Sequence, residues 1–231
     1  MFIVQHSNTI PQQYYTIICI CDPLFTGILV KTIVVIDYGL GNLKSVRRAF
    51  ERAGARVAVS KSLADIRGAD GLVLPGVGAF HDGMARLGAL RDVLFEAVDD
   101  GKMLLGICLG MQMFLGESEE GGGRAGLGLI PGRVVRFAVD GLKIPHMGWN
   151  SISFDRGLRF FRGVPDRSYV YFVHSYYVEV GGEFVVATCE YGVDFAAVVV
   201  NRAGNVIGTQ FHPEKSGDVG LRMIRNFLEM V

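Results

Sequence analysis

The stretch 102–115 reads KMLLGICLGMQMFL and contains both halves of a strand-to-helix turn. Met103 to Ile107 is a short apolar run of the kind found in buried strands, and from Leu109 onward apolar residues recur at helical spacing. The sequence therefore predicts that Cys108 lies where a strand ends and a helix begins.

The frame Gly106-Ile107-Cys108-Leu109-Gly110 has the form of a nucleophile elbow with cysteine as the nucleophile. Glycine is favoured at both flanking positions because a side chain there would collide with the closely approaching backbones. The helix start favours a thiolate at Cys108, because unpaired amides and the positive end of the helix dipole face the sulfur. The alternative is a cysteine that is simply buried in an α/β core, the usual fate of an unpaired cysteine.

The composition favours one domain that acts on a small molecule or with a protein partner. The chain has 231 residues, 50% of them hydrophobic, and its 23 basic residues equal its 23 acidic residues. This length suits one α/β domain with a substantial core. Because no basic run is present, neither nucleic acid nor a membrane is expected as a partner.

The four cysteines, Cys19, Cys21, Cys108 and Cys189, have neither the paired CxxC spacing of a metal site nor the density of a disulfide framework. A reducing compartment suits such a chain. We therefore expect a cytoplasmic protein without a bound metal.

Residues 1–31 differ from the rest of the chain. Their mainly apolar run is interrupted by Asp22, Pro23 and Gly27, and no lysine or arginine precedes Lys31. They fit neither a signal peptide nor a membrane-spanning helix. We interpret 1–31 as an N-terminal extension, poorly ordered or derived from an upstream start codon, and 32–231 as the working domain.

Strands and helices alternate through the first half of the domain, whereas the second half is mainly extended. The pattern predicts an α/β fold with a mixed, mainly parallel central sheet, helices on both faces and added antiparallel strands. The predicted strands span 33–37, 56–60, 71–74, 103–107, 134–139, 151–154, 169–180, 184–190, 196–201 and 206–211, the helices span 43–53, 82–100 and 221–230, and 119–126 is a surface loop.

The turn Gly39-Leu40-Gly41-Asn42 resembles the beginning of a dinucleotide-binding fingerprint. Lys44 occupies the position of the third glycine, however, and the chain contains no P-loop lysine motif. No cofactor is expected.

A catalytic cysteine needs a base, and the chain offers five histidines: His6, His81, His146, His174 and His212. His212 is the strongest candidate because it ends a predicted strand and Glu214 follows two residues later. An extended backbone, favoured by Pro213, puts both side chains on the same side. Glu214 would then fix the ring so that its other nitrogen faces the sulfur. The alternative is a histidine and a glutamate in an exposed loop.

The segment Leu74-Pro75-Gly76-Val77-Gly78-Ala79 ends another predicted strand. The ends of parallel strands meet at one edge, where open α/β proteins bind ligands. Its two glycines leave backbone amides free to orient toward an oxyanion. An ordinary turn would have the same composition.

Three motifs together, GICLGMQ at 106–112, PGVG at 75–78 and HPE at 212–214, resemble the class I glutamine amidotransferases. Further motifs, DYGLGNL at 37–43, HMGWN at 146–150, YFVHSY at 171–176 and QFHPEKS at 210–216, are similar to the glutaminase subunit of imidazole glycerol phosphate synthase. The match runs from about Ile33 to the C-terminus. Such a combination is far more specific than any single motif.

The resemblance implies that the chain hydrolyses glutamine through a glutamyl thioester. Cys108 would be the nucleophile, His212 would pass a proton to the departing ammonia, and Glu214 would orient His212. The resemblance also assigns the oxyanion amides to Gly76, Val77 and Leu109, and glutamine binding to Gln112, Glu120, Ser175 and Tyr176.

The same resemblance implies a heterodimer with a (β/α)8-barrel cyclase subunit, which receives the ammonia and works in histidine biosynthesis. Met147, Trp149, Asn150 and Lys215 match positions near that partner. Trp149 could equally be a core residue. The residues also leave open a glutaminase subunit of another synthase, a cysteine hydrolase on a similar elbow, and a catalytically silent binding module.

Overall fold

The computed structural model describes residues 30–154 and 157–231. Within these ranges the α-helices are α1 Leu43–Ala53, α2 Leu63–Gly68, α3 Phe80–Leu87, α4 Leu90–Asp99, α5 Leu109–Met113 and α6 Gly217–Leu228. The strands are β1 Thr32–Ile36, β2 Arg56–Ser60, β3 Gly71–Gly76, β4 Met103–Cys108, β5 Glu117–Ser118, β6 Arg124–Ala125, β7 Gly132–Arg136, β8 His146–Ser151, β9 Ser153–Phe154, β10 Tyr169–His174, β11 Tyr176–Val180, β12 Val185–Glu190, β13 Asp194–Val200 and β14 Val206–Thr209. Short 3₁₀ turns span Arg159–Phe161, Gly182–Phe184 and Pro213–Lys215.

The central layer is an eight-stranded sheet with the order β2-β1-β3-β4-β14-β13-β12-β9. The first five strands in this order, β2, β1, β3, β4 and β14, pair in parallel. Strands β13, β12 and β9 then continue the sheet in antiparallel pairing. A four-stranded sheet, β11-β7-β5-β6, and the pair β10-β8 lie beside it. The predicted α/β fold, with its mixed and mainly parallel central sheet, is confirmed.

Strand β1 explains why helices cover both faces of this sheet. Its side chains alternate between two separate hydrophobic clusters. Ile33 and Val35 belong to the first cluster, and Val34 and Ile36 belong to the second. Phe50 of α1 joins the first cluster, whereas α2 to α5 contribute to the second. A strand with no solvent-facing side must be apolar throughout, and this accounts for its continuous hydrophobic run.

The prediction of one helix over 82–100 is wrong, because the segment forms α3 and α4. The break is at Gly88, which has a φ of 33° and closes α3 through its backbone N–H to Met84 O. A glycine takes this positive φ without a side-chain clash and so ends the helix. Two short helices therefore replace the one long helix that was expected.

Other predicted boundaries move by a few residues. The extended run 169–180 is divided at Ser175 into β10 and β11, which belong to different sheets. The last strand ends at Thr209 and the closing helix begins at Gly217. The predicted loop 119–126 contains β6, and α2 was not predicted. The strand-to-helix turn at Cys108 is present where the sequence predicts it.

Nearly all of the predicted extension 1–31 lies outside the described residues, together with His6, Cys19 and Cys21. The boundary of the domain at Thr32 therefore stays a prediction. None of the helices in the described ranges has both the length and the apolarity needed to cross a membrane.

Candidate active site

Cys108 is the last residue of β4 and adopts an unusual backbone conformation. Its φ of 54° and ψ of −105° lie outside the regions that most side-chain-bearing residues adopt. The two glycines of the elbow permit the turn: a Cβ at Gly106 would overlap the Phe114 ring, and one at Gly110 would overlap the backbone oxygen of Leu74. The turn holds Cys108 at the carboxyl end of the parallel strands, and only 7% of the residue is exposed.

His212 and Glu214 form a buried pair beside this cysteine. His212 Nδ1 lies 2.8 Å from Glu214 Oε1, and the two side chains are 2% and 1% exposed. Burial lowers the pKa of His212, but side-chain interactions with Cys108 and Glu214 outweigh that effect and raise its pKa to about 9. Among the described residues, His212 Nε2 has no partner at strict hydrogen-bond geometry. This nitrogen is therefore available to exchange a proton at the sulfur.

The route by which the chain brings His212 and Glu214 together differs from the prediction. His212 is extended, as expected before Pro213, but Glu214 lies in the 3₁₀ turn Pro213–Lys215. Ser216 fastens this turn to β10: its hydroxyl donates to His212 O at 2.7 Å and accepts from Tyr171 N at 3.0 Å. Tertiary hydrogen bonds, and not a continuous strand, hold the pair in place.

A pocket of about 340 Å³ opens beside Cys108. It brings together Cys108 and six other residues assigned by resemblance: Val77, Leu109, Gln112, Glu120, Ser175 and Tyr176. The other lining residues are Gly78, Pro145, Val173 and His174. The buried pair His212 and Glu214 does not line the pocket.

Two polar side chains of the pocket are already held by the fold. Gln112 Nε2 donates to Tyr176 O at 3.0 Å and to Gln210 Oε1 at 3.1 Å. Glu120 Oε2 accepts a hydrogen bond of 2.7 Å from Phe80 N and thereby caps the N-terminus of α3. The carboxylate of Glu120 thus has a structural role in addition to the role expected from the sequence.

Gly76 lies at the end of β3, in register with Cys108, but it does not line the pocket. A Cβ at Gly76 would come within 2.7 Å of both Leu109 Cβ and the hydroxyl of Tyr38. The next residue, Val77, is 39% exposed. The predicted oxyanion segment is therefore anchored at Gly76 and open from Val77 onward.

The predicted partner residues fall into two groups. Met147 and Trp149 are 62% and 56% exposed on one face of β8, so Trp149 is not a core residue. The exposed Lys215 lies near this face, with its Nζ 5.6 Å from the centre of the Tyr171 ring. Asn150 points to the opposite face, where its amide donates to Glu190 O at 2.8 Å.

Sequence reasoning missed Gln210 and Tyr38 as contributors to the site. Gln210 Nε2 lies 3.6 Å from Cys108 Sγ, and its spacing of two from His212 was the available signal. The Tyr38 hydroxyl donates to Pro75 O at 2.7 Å beneath the predicted oxyanion segment. No sequence pattern indicated that contact, because 37 residues separate the two groups.

Within the part of the chain that the structure covers, no group of three or more His, Cys, Asp and Glu residues is placed to hold a metal ion. Cys108 and Cys189 are both free thiols. Burial, with smaller contributions from Asp194 and Glu190, raises the pKa of Cys189 to about 12, so of the two cysteines in the described ranges Cys189 is the one disfavoured as a nucleophile.

The sequence profile of the class I glutamine amidotransferases matches residues 34–231. The chain belongs to this family. Among relatives of this amidotransferase, the protein named imidazole glycerol phosphate synthase subunit HisH from Methanosarcina acetivorans is 55% identical over 200 residues, which cover 87% of this chain and 99% of the relative. The HisH subunit from Natronomonas pharaonis is 53% identical over 203 residues, which cover 85% and 94%.

Solved structures show that the amidotransferase fold extends well beyond these close relatives. The structure of PurLQS from Thermotoga maritima matches with a TM-score of 0.71 at 19% identity, covering 87% of this chain and 99% of that chain. A crystal structure of a glutamine amidotransferase matches with a TM-score of 0.68 at 23% identity, covering 86% and 97%. At these identities the likeness concerns the fold alone.

Proposed function

We propose that this amidotransferase is the glutaminase subunit of imidazole glycerol phosphate synthase, and that it delivers ammonia from glutamine to a cyclase subunit in the cytoplasm. One structural observation carries the proposal: a buried His212–Glu214 pair lies next to an elbow cysteine that opens into a pocket lined by Gln112, Glu120 and Tyr176. The names of the relatives narrow the choice of synthase.

In the proposed reaction, the Cys108 thiolate attacks the side-chain carbonyl carbon of glutamine. Because the pKa of His212 is raised to about 9, its ring carries a proton at neutral pH and stabilises the thiolate beside it. As the tetrahedral intermediate collapses, the C–N bond breaks and His212 gives its proton to the departing nitrogen, which leaves as ammonia. Water then attacks the thioester carbon while His212 takes its proton; the C–S bond breaks, the Cys108 thiolate re-forms, and glutamate is released.

The other assigned residues bind and stabilise. Backbone amides of Gly76, Val77 and Leu109 would donate to the oxyanion of the intermediate. The carboxylate of Glu120 suits the ammonium group of glutamine. Gln112, Ser175 and Tyr176 would hold the rest of the substrate.

The exposed face formed by Met147 and Trp149 suits a large apolar contact with a partner, for which we propose the (β/α)8-barrel cyclase in a heterodimer. Lys215 lies near this face, whereas Asn150 would act from the opposite face of β8. The boundary between a domain at 32–231 and an extension before it belongs to the same proposal.

The assignment is tested by measuring glutamate release from glutamine. The measurement is made for the chain alone and again after adding the cyclase subunit of an imidazole glycerol phosphate synthase with a nucleotide ligand of that cyclase. We expect the cyclase and its ligand to stimulate release, and Cys108→Ala to abolish it. Absence of glutamate in both conditions would contradict the proposal. Vigorous release that the cyclase does not change would keep the chemistry and indicate a different synthase.

A further inference from the structure

His146 and His174 form a second buried histidine pair that the proposed reaction does not use. They face each other across the antiparallel strands β8 and β10, and His146 Nδ1 lies 3.0 Å from His174 Nε2. The two residues are 3% and 5% exposed. Buried polar groups of this kind must satisfy one another, so the position of each proton has structural consequences.

The hydrogen-bond partners fix the tautomers of both rings. His174 Nδ1 lies 2.8 Å from Tyr176 O, and a carbonyl oxygen can only accept, so Nδ1 must carry the proton. A neutral imidazole has one N–H, and therefore His174 Nε2 is an acceptor and His146 Nδ1 is its donor. His146 Nε2 is then left as an acceptor, facing the amide nitrogen of Asn150 at 3.4 Å.

The surroundings keep this pair uncharged. His146 stacks against Tyr191 and Phe172 with ring centres 4.0 Å and 4.8 Å away, and Phe195 lies within 5.1 Å of the His174 ring. Burial lowers the pKa of His146 to about 4 and that of His174 to about 3. With both rings neutral, the hydrogen bonds run in a single direction from Asn150 toward Tyr176.

The chain of hydrogen bonds ends at the glutamine pocket. Tyr176 O also accepts from Gln112 Nε2 at 3.0 Å, and Gln112 Nε2 is shared with Gln210 Oε1. Gln210 Nε2 in turn lies 3.6 Å from Cys108 Sγ. The orientation of both glutamine side chains thus depends on where the carbonyl of Tyr176 is held.

We propose that His146 and His174 are positioning residues, which act through the carbonyl of Tyr176 to hold Gln112 in its substrate-binding orientation. This inference rests on the proposed function, because it assigns the orientation of Gln112 to glutamine recognition. Neither histidine touches the reacting atoms in this role. Their loss should weaken substrate binding more than it slows the chemical step.

The direct test uses the intact chain with ¹⁵N-labelled histidine and two-bond ¹H–¹⁵N correlation spectra at pH 7. We expect two neutral rings protonated at Nδ1. Each signal is assigned to His146 or His174 by its loss when that one histidine is replaced. A ring protonated at Nε2, or an imidazolium at either position, would overturn the inference. This measurement needs neither substrate nor partner.

The functional test compares His174→Phe with His174→Asn. Phenylalanine preserves the aromatic packing but cannot donate to Tyr176 O, whereas the asparagine amide can place a donor near the position of Nδ1. The probe is a chloroketone analogue of glutamine, from which the Cys108 thiolate displaces chloride. Iodoacetamide reports the intrinsic reactivity of the same sulfur.

We expect His174→Phe to raise the half-saturating chloroketone concentration at least about tenfold, with iodoacetamide labelling changed less than about threefold. His174→Asn should restore most of the loss. Tyr191→Phe, which removes one hydroxyl from the same aromatic surroundings, is the matched control and should leave the half-saturating concentration unchanged.

Equal saturation in His174→Phe and wild type, or an equal defect in the Phe and Asn variants, would overturn the positioning role alone. A wild-type chain whose Cys108 the chloroketone does not label would overturn the proposed function as well. The two failures are therefore distinguishable.

Discussion

Replacing Glu214 with glutamine tests the link between the buried pair and catalysis. The change keeps an oxygen 2.8 Å from His212 Nδ1 but removes the negative charge. Burial lowers the pKa of His212, and in this variant only the interaction with Cys108 is left to raise it. We expect the His212 ring of Glu214→Gln to be neutral at pH 7.5 and glutaminase activity to fall roughly 10²- to 10⁴-fold, the range of general acid–base catalysis.

The same pKa shift makes a prediction for stability. A rise of the His212 pKa from 6.5 to about 9 corresponds to about 3 kcal/mol of extra stability for the protonated ring. Because the folded-state pKa is raised, this contribution is fully present below pH 6.5 and is lost as the pH rises through about 9. Glu214→Gln should lose most of this dependence.

Urea unfolding of both proteins at pH 6, 7.5 and 9.5, together with glutamate release at pH 7.5, measures these effects. Glu51→Gln is the matched control, since Glu51 is an exposed glutamate paired with Arg47. This substitution should change the free energy of unfolding by less than about 0.5 kcal/mol. Activity within threefold of wild type in Glu214→Gln, or an unchanged pH dependence of unfolding, would refute the reasoning.

Three further substitutions test other parts of the site. Tyr38→Phe leaves Pro75 O without its buried donor and should lower the free energy of unfolding by about 1–3 kcal/mol in urea, whereas an unchanged midpoint would argue against that contact. Gly110→Ala places a methyl group on a main-chain carbonyl of β3 and should destabilise the fold by more than about 2 kcal/mol, as measured by thermal melting. Its control is Gly68→Ala, where the space is open and the stability should change by less than about 1 kcal/mol. Equal melting shifts in the two variants would contradict the argument that the elbow requires glycine. Trp149→Ala should leave unfolding nearly unchanged and weaken cyclase binding at least about tenfold by calorimetry, and full-strength binding would remove this face from the proposed interface.

The sequence predicted the parts of the site that depend on local geometry. Glycines at 106 and 110 predicted the turn at Cys108, because a strand and a helix can meet so closely only where side chains are absent. The spacing of His212 and Glu214 predicted their pairing from an extended backbone; the pair is present, but a 3₁₀ turn and not an extended strand brings the two side chains together. Apolar runs in the first half predicted parallel strands buried on both faces.

Sequence periodicity was less informative where neighbouring segments decide the outcome. Gly88 divides the predicted helix 82–100, because its positive φ ends α3 at a point that hydrophobic spacing alone does not reveal. Ser175 separates β10 from β11, and the two strands then join different sheets. In both cases the apolar pattern is continuous through the break.

What the sequence determined by itself is the fold class, the elbow at Cys108 and the identity of the candidate nucleophile, base and orienting carboxylate. Only the tertiary structure decided that Gln210 lies against the sulfur, that Trp149 is exposed while the Asn150 amide donates to Glu190 O, and that His146 Nδ1 lies 3.0 Å from His174 Nε2. The physical reason is range. Steric limits on a turn act between residues adjacent in the chain, whereas the direction of a buried hydrogen bond depends on which distant groups the packed sheets bring within about 3 Å of one another.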